Sequence, residues 1–397
     1  TQDVAVLVEI EKRYGFVSLQ LKIAELVNLP VGMLTPVRMG DTLILRRARE
    51  LGYVLSNAVQ SEKKSYPGAY VFEPRRKGLV RNVAVFDFES LYPNIIINER
   101  IDIPGFNGEV LPHIISQLLE MRRKAKEQYK ATGDARYDVE QKAYKIIANA
   151  LYGLFGTEGF RFLDLQRASA VTAKGREMLL KASSIAEELG YSVIYGDTDS
   201  IFITGWTDPG ELALVETALN EMLKPYRVKL EYYGDIYLIA KKKYILRLPD
   251  GKRIVKGVEL VRGDWARIFK EVVSSLVEMV FSGCTAQDIK SYLAGIRKEL
   301  YSGRLDDKLV MCKGYSHSKE YKVASEHVKA ARILARRHKV PLESITEVCY
   351  VYVKHGDGVE PVYNGRIPKG IDYDRYWERI MELAKRMLIL NNAGLAK

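Results

Sequence analysis

The chain has 397 residues, 47% hydrophobic and 28% charged, a balance typical of a globular protein with roughly two to three domains. No apolar run reaches the length of about 18 residues that a membrane-spanning helix needs, and no secretory signal peptide is visible. The net charge of +11 favours a polyanionic partner, with nucleic acid ahead of a membrane surface.

The three cysteines, Cys284, Cys312 and Cys349, are scattered along the chain and form no C-x-x-C pair. This spacing argues against a zinc or iron–sulfur site. A reducing compartment fits such cysteines best, so we expect a cytoplasmic location.

The first third of the chain is predicted to be helical and then β-rich. Apolar spacing indicates helices over residues 4–14 and 17–27, and a third, opened by Asp41, over residues 42–51. Two β-rich runs follow, at residues 69–72 and 83–87.

A helical hairpin is predicted next. Residues 113–131 and 136–155 have helical spacing, and the break at residues 132–134 contains Gly133. This hairpin is inserted between β segments. A further helix is expected over residues 168–190.

The remaining predicted elements are a β-hairpin around residues 195–200, a helix over 211–223, a basic β-hairpin over 236–256 with a turn at 249–251, a largely helical stretch from 264 to 303, and a mixed, mostly helical end. A composition shift near Gly263 marks a candidate domain boundary.

The hairpin at residues 195–200, with the sequence YGDTDS, carries two aspartates one residue apart. Like charges this close repel each other, and a divalent cation is the usual remedy. Asp87 ends a hydrophobic strand and could supply a third carboxylate. Such a cluster suits two divalent ions about 3.5–4 Å apart, whereas the alternative is that Asp87 only caps a helix.

Cationic side chains face one another across the predicted helical hairpin. Lys145, Asn149 and Tyr152 fall on one helical face, and Arg122 and Lys126 lie one turn apart on the partner helix. Their convergence predicts a phosphate site, because ammonium and guanidinium groups form charge-assisted hydrogen bonds with phosphate. Three other cations are expected to form only a solvated face, namely Arg123, Lys124 and Lys130.

Three segments together resemble a known family. Residues 87–96 (DFESLYPNII) resemble motif A of the family B DNA polymerases, residues 145–153 resemble motif B, and residues 195–200 are identical to the common form of motif C. Their order and spacing also agree, and the likeness is most archaeal in character. Ala150 stands where motif B usually has Ser.

The resemblance implies an α+β fold with right-hand polymerase architecture, comprising an antiparallel-sheet palm, helical-hairpin fingers and a mainly helical thumb. The implied parts are a helical lead-in over residues 1–60, palm over 61–111 and 156–265, fingers over 112–155 and thumb over 266–397. Residues 256–265 are similar to the segment that closes the palm.

The implied activity is that of a DNA-directed DNA polymerase, which adds deoxynucleotides to a primer 3′-hydroxyl and releases pyrophosphate. Asp87 and Asp199 would bridge two Mg²⁺ ions, for which Mn²⁺ can substitute, with the Phe88 carbonyl completing one shell and Asp197 supporting them. The residues implied to bind the nucleotide are Ser90, Leu91, Tyr92, Arg122, Lys126, Lys145, Asn149 and Tyr152. Among these, Tyr92 would act as a steric gate against ribonucleotides.

Other matching positions imply contacts with the primer–template. Tyr66 and Gly68 resemble the template-contacting Tyr-x-Gly-Gly element, with Ala69 replacing its second Gly. Residues 241–244 resemble the Lys-Lys-Arg-Tyr motif, so Lys241, Lys242, Lys243 and Tyr244 are predicted DNA-binding residues. Strand alternation would send Lys241 and Lys243 to one side, and Lys242 and Tyr244 to the other.

The resemblance also implies what the chain lacks. There is no room for the family's N-terminal and exonuclease domains, so we expect no proofreading, and Asp3 resembles a stranded exonuclease carboxylate. Expected partners are primer–template DNA, dNTP and either a separate exonuclease-containing chain or a sliding clamp, with a nucleoid-associated location and no membrane. No recognisable clamp-binding tail is visible at residues 391–397.

Three alternatives stay open from sequence. They are another palm-type polymerase such as a reverse transcriptase, a non-catalytic homologue that only binds DNA, and a catalytic fragment of a longer polymerase. The start at Thr1 rather than Met favours the last alternative.

Overall fold

The computed structural model describes residues 2–57, 66–257, 265–317, 321 and 324–388. Its helices are α1 Gln2–Tyr14, α2 Phe16–Val27, α3 Pro36–Glu50, α4 Leu91–Asn98, α5 Leu111–Thr132, α6 Ala135–Tyr152, α7 Leu165–Glu188, α8 Pro209–Met222, α9 Arg267–Phe281, α10 Ala286–Tyr301, α11 Glu326–His338 and α12 Tyr373–Leu388. Its strands are β1 Gly78–Phe88, β2 Ser192–Asp197, β3 Ser200–Thr204, β4 Val228–Ala240, β5 Lys243–Arg247, β6 Arg253–Lys256, β7 Met311–Gly314, β8 Glu347–Tyr352 and β9 Val359–Pro361.

The strands form two sheets, one with the order β2-β3-β1-β4-β5-β6 and one with the order β7-β8-β9. The pairs β2–β3, β4–β5, β5–β6, β7–β8 and β8–β9 are antiparallel. The predicted α+β class with antiparallel sheet is confirmed. The chain divides into two compact units, the first Thr1–Phe72 with Ala84–Glu231 and the second Glu73–Val83 with Tyr232–Lys397.

The predicted N-terminal helices are present, but the third begins earlier than its sequence suggested. Thr35 caps α3 by accepting a hydrogen bond from the backbone N–H of Arg38 at 3.3 Å. Asp41 lies inside α3, where its carboxylate accepts two hydrogen bonds from the Arg161 guanidinium at 2.9 Å. Asp41 was therefore misassigned as a helix start, because its partner lies 120 residues away along the chain.

Residues 69–72 do not form the predicted strand. Val71 makes only an isolated bridge to Asp197, and Phe72 donates its backbone N–H to the Gly196 carbonyl at 2.9 Å. A side chain at Gly196 would place its Cβ 2.9 Å from the Phe72 ring, so this close approach requires glycine. The segment thus follows the backbone of the aspartate hairpin without extending the sheet.

The predicted helical hairpin is present as α5 and α6. Gly133 adopts the left-handed conformation (φ 69°) that ends α5, and the Asp134 side chain caps α6 by accepting the Arg136 N–H at 2.9 Å. Helix α6 ends at Tyr152 rather than at residue 155, and a 3₁₀ turn follows at Leu154–Gly156.

The N-terminal end of α5 is anchored by a buried carboxylate. Asp102 is 4% exposed and accepts hydrogen bonds from four backbone N–H groups, those of Ile103, Gly108, Val110 and Leu111, at 2.8–3.0 Å. The last two donors lie at the start of α5, where backbone N–H groups otherwise lack partners. Asp102 therefore fixes where this helix begins.

In the second unit, the basic hairpin differs from its predicted form. Ala240 of β4 pairs with Lys243 of β5, so Lys241 and Lys242 are the central residues of a tight turn, and Lys242 has a φ of 57°. The predicted alternation of Lys241 and Lys243 against Lys242 and Tyr244 is wrong, because it assumed one continuous strand through residues that form a turn.

The second unit also contains the β7–β9 sheet packed with helices α9 to α12. Cys312 of β7 and Cys349 of β8 lie opposite each other, with their Cα atoms 4.0 Å apart, and form a disulfide. This pairing was not predicted from the sequence, and the expected reducing compartment does not account for it. Cys284 is exposed and free.

Several predictions lie outside the described residues, namely most of the palm-closing segment with its boundary at Gly263, the side chain of Asp3 and the chain end at residues 391–397. Across the part of the chain that is described, no helix is both long and apolar enough to span a membrane.

Replacing Asp102 with Ala should destabilise the first unit by on the order of 3 kcal/mol, because four buried or half-buried N–H groups lose a charged acceptor. Chemical denaturation followed by circular dichroism measures this loss. The matched control is Asp134→Ala, which removes a solvent-accessible helix cap and should cost much less. Equal losses in the two variants would contradict the anchoring role of Asp102.

Candidate active site

The hairpin tip holds its two aspartates in different environments. Asp197 pairs with Ser200, so the turn consists of Thr198, with a φ of 63°, and Asp199. The Thr198 hydroxyl donates to the Asp197 carboxylate at 3.1 Å, and the Ser200 hydroxyl donates to the Asp197 carbonyl at 3.2 Å. Asp197 is thus tied into the base of the turn, whereas Asp199 is one of its two central residues.

Strand β1 brings Asp87 to the side of Asp199. The backbone N–H of Phe88 donates to the Asp199 carbonyl at 2.8 Å, which joins the end of β1 to the hairpin tip. The N-cap of the following helix α4 is Ser90, so Asp87 does not act as the helix cap that the alternative assumed. Asp87 and Asp199 line the same cavity, and Asp197 is not among its lining residues.

This cavity has a volume of about 590 Å³ and lies within the first unit. Acidic and cationic side chains both line it. The lining residues are Asp87, Phe88, Glu89, Ser90, Asn94, Leu119, Arg122, Arg123, Lys126, Lys145, Asn149, Asp199, Lys229, Leu230 and Glu231. The structure therefore brings together Asp87, Asp199, Ser90 and the predicted phosphate ligands on α5 and α6.

Arg122 is the most desolvated cation of the cavity. One of its terminal nitrogens donates to the Ser90 hydroxyl at 3.1 Å, and its Nε is buried without a hydrogen-bond partner among the described residues. Burial lowers the pKa of the Arg122 guanidinium, and the charge of Glu89 opposes that change. An unsatisfied buried donor of this kind suits an anionic ligand.

Lys126 lies one turn further along α5. Burial lowers the pKa of its ammonium group, and the positive charges of Arg122 and Lys229 lower it further, whereas Glu89 opposes them. Closely spaced cations favour binding of a polyanion.

The prediction that Arg123 and Lys124 belong to a solvated face is confirmed. Arg123 forms ion pairs with Glu120 at 2.7 Å and Glu127 at 2.8 Å, and Lys124 approaches Glu120 at 3.5 Å. Although Arg123 reaches the cavity edge, these acids on its own helix already compensate its charge.

Tyr92 is not among the lining residues of the cavity and lies in a cluster of aromatic side chains. Its ring is 7% exposed and stacks on Tyr152 with the centroids 4.9 Å apart. Burial raises the pKa of Tyr92, and the nearby charge of Asp199 raises it further. A Cβ at Gly175 would lie 2.9 Å from the Tyr92 ring, and one at Gly156 would lie 2.3 Å from the ring of Tyr66. The positions of these rings are therefore closely constrained.

The acids of the cavity are sufficient for Mg²⁺ only together with a ligand. Among the residues described, no group of three or more His, Cys, Asp or Glu side chains is placed to hold a metal ion. Mg²⁺, however, is commonly held by one or two carboxylates plus substrate phosphates and water. Asp87, Asp199 and the Phe88 carbonyl could supply hard oxygen donors of this kind.

Other predicted site residues lie elsewhere. In the second unit, Lys241 forms an ion pair with Glu73 at 2.8 Å, and Tyr244 is 7% exposed. In the first unit, Leu91 is buried, and Pro67, between Tyr66 and Gly68, accepts a hydrogen bond from Thr172 at 2.9 Å. The assignment of these residues to DNA or nucleotide contacts stays a prediction.

Three charged residues of the cavity were not predicted from the sequence. Glu89 follows Phe88 inside the motif A segment, and Lys229 and Glu231 occupy alternate positions on β4. The alternation of charges at residues 229 and 231 was the available signal, because side chains two residues apart on a strand share a face.

The sequence of this chain matches a known family model and is similar to known proteins. The family model described as DNA polymerase family B matches residues 38–101 and 106–390. A DNA polymerase of Archaeoglobus fulgidus is 30% identical over 377 residues, covering 86% of this chain and 48% of that protein. DNA polymerase 2 of Aeropyrum pernix is also 30% identical, covering 89% of this chain and 48% of that protein.

A solved structure is similar as well. The family B DNA polymerase from the hyperthermophilic archaeon Pyrobaculum calidifontis matches with a TM-score of 0.74 and 26% identity, covering 98% of this chain and 55% of that one. The archaeal likeness and the polymerase architecture expected from sequence are confirmed. The chain spans about half the length of the curated relatives it matches.

The lowered pKa of Lys126 should be visible in polyphosphate binding. Its ammonium group loses its proton at a lower pH than an ordinary lysine, so affinity for tripolyphosphate should begin to fall at a correspondingly lower pH. Titrations between pH 7 and 10.5 at constant ionic strength measure this. In Lys126→Arg the positive charge persists at alkaline pH, so the fall in affinity for tripolyphosphate should begin at a higher pH. An identical pH profile in the two proteins would contradict the role of Lys126.

Proposed function

The chain belongs to DNA polymerase family B, and from this membership we propose that it is a DNA-directed DNA polymerase core. It transfers a deoxynucleoside monophosphate from a dNTP to a primer 3′-hydroxyl and releases pyrophosphate. The observation that carries this proposal is the cavity in which Asp87 and Asp199 face Arg122, Lys126 and Lys145.

Asp87, Asp199 and the Phe88 carbonyl would hold two Mg²⁺ ions, or Mn²⁺ in their place, which supply charge neutralisation and a more acidic 3′-hydroxyl. The chain's own part is to fix these oxygens at the ends of two adjacent strands. Asp197 acts indirectly, by keeping the turn in the conformation that presents Asp199 to the cavity.

The cations on α5 and α6 bind the triphosphate. Arg122, Lys126 and Lys145 neutralise its charge and the charge that develops on the leaving pyrophosphate, and Asn149 donates a further hydrogen bond. Backbone N–H groups of Ser90, Leu91 and Tyr92, at the start of α4, are further donors to phosphate oxygens. Because Arg122 also donates to Ser90, α5 and the start of α4 act on the same phosphates.

Tyr92 is the proposed steric gate against ribonucleotides. Its ring lies close enough to Asp199 for that charge to raise its pKa, and its stacking on Tyr152 prevents it from moving aside. A 2′-hydroxyl on the incoming sugar would meet this ring.

The remaining assignments follow the family pattern. We propose residues 1–60 as a helical lead-in, 61–111 and 156–265 as palm, 112–155 as fingers and 266–397 as thumb. Tyr66, Gly68 and the residues of the basic turn, Lys241, Lys242, Lys243 and Tyr244, are proposed contacts to the primer–template. The proposed protein partner is a sliding clamp or a separate exonuclease-containing chain. The proposed role is in replication, and the proposed location is at the nucleoid.

Primer extension with Mg²⁺ and the four dNTPs tests the activity. Asp199→Asn should lower the extension rate by at least about 1,000-fold, because it removes a metal-binding carboxylate. Asp197→Asn should lower it far less, since Asp197 does not line the cavity. Undiminished extension by Asp199→Asn would overturn the proposed function.

Tyr92→Ala should raise ribonucleotide incorporation by about 10- to 1,000-fold relative to dNTP, because it removes the ring that a 2′-hydroxyl would meet. Single-nucleotide insertion with paired rNTP and dNTP measures the ratio. Tyr92→Phe, which keeps the ring and its stacking on Tyr152, is the matched control and should leave the ratio unchanged. The same ratio in wild type and Tyr92→Ala would refute the gate.

A further inference from the structure

Glu89 places a negative charge within the phosphate-binding part of the cavity. Its backbone is fixed on both sides, because its N–H donates to the Arg227 carbonyl at 2.9 Å and its carbonyl accepts from the Asn94 side chain at 2.7 Å. Its side chain is exposed and lines the cavity. The carboxylate therefore extends from a rigid position into space that a polyphosphate must enter.

The charge of Glu89 acts on the two cations that grip phosphate. It raises the pKa of both Arg122 and Lys126, against the lowering caused by burial. No salt bridge within 4.0 Å joins Glu89 to a cation in the described residues. Glu89 thus acts through space as a counter-charge rather than through a fixed ion pair.

Charges in the cavity are nearly balanced. Asp87, Glu89, Asp199 and Glu231 stand against Arg122, Lys126, Lys145 and Lys229, with Arg123 compensated on its own helix. A metal-free triphosphate, which carries about four negative charges, would gain little net attraction from such a site. Metal ions bound at Asp87 and Asp199 would make the net charge of the cavity positive.

We propose that Glu89 is a specificity-determining residue, a resident counter-anion that makes the grip of Arg122 and Lys126 selective for metal-loaded triphosphate. Its repulsion scales with the net charge of the incoming anion. Glu89 therefore weakens the binding of metal-free triphosphate more than the binding of the metal complex. It also weakens the binding of pyrophosphate, which favours its release. This inference rests on the proposed function of the same cavity.

The effect should be moderate and sensitive to salt. Glu89 is exposed, and at about 0.1 M ionic strength charges are screened over about 10 Å. Removing its charge should therefore tighten binding of metal-free dATP by about 3- to 10-fold at low salt, and of dATP with Mg²⁺ by less.

Isothermal titration of dATP into the protein without primer, in EDTA and in Mg²⁺, tests this. Glu89→Gln should lower the Kd for metal-free dATP and for pyrophosphate, so the ratio of the Kd in EDTA to the Kd in Mg²⁺ should decrease. The fall in Kd should be smaller at 0.5 M salt. Glu188→Gln is the matched control, because Glu188 is exposed at the end of α7 and does not line the cavity. Lys229→Gln should change the same affinities in the opposite direction.

An unchanged preference in Glu89→Gln would overturn the inference. Weaker binding in Mg²⁺ would also overturn it, since Glu89 would then hold metal. These outcomes are separate from the proposed function, because binding is measured without turnover. Failure of the wild-type chain to extend a primer would refute the polymerase activity and leave the binding result to be judged by itself.

Discussion

One backbone hydrogen bond, from Phe88 at the end of β1 to Asp199 at the tip of the β2–β3 hairpin, determines the arrangement of the site. It places two carboxylates from distant parts of the chain beside each other. Carboxylates that share one cavity repel each other. The cations of α5 and α6 line the same cavity, and the positions of these helices depend in turn on the Gly133–Asp134 turn and on Asp102.

The cavity therefore works by opposition of charge. Acids at strand ends suit hard cations, and desolvated cations on the helices suit phosphate. A metal-complexed triphosphate satisfies both, because it carries the cation that the acids need and the oxygens that Arg122 and Lys126 need. The ring of Tyr92, packed between Tyr152 and the backbone of α7, adds a steric constraint to these charges.

Local patterns made much of this site predictable. The YGDTDS hairpin and the Gly133 helix break are encoded by neighbouring residues, and one helical face aligns Lys145 with Asn149. Long-range pairing was harder to foresee. Lys229 and Glu231 line the cavity because β4 carries them there. Asp41 accepts hydrogen bonds from Arg161, and Cys312 forms a disulfide with Cys349, 37 residues further along the chain. The turn at Lys241 and Lys242 was missed because three lysines in a β-rich run show no turn signal such as Gly or Asn.

The central claim is that the two carboxylates and the cationic helices form one binding site. Electron paramagnetic resonance of Mn²⁺, titrated into the protein with and without dATP, tests it most directly. We expect dATP to increase the amount of protein-bound Mn²⁺ beyond what nucleotide alone holds, and this increase to vanish when both Asp87 and Asp199 are changed to Asn. The same increase in the double variant would show that metal and nucleotide bind elsewhere and would contradict the account.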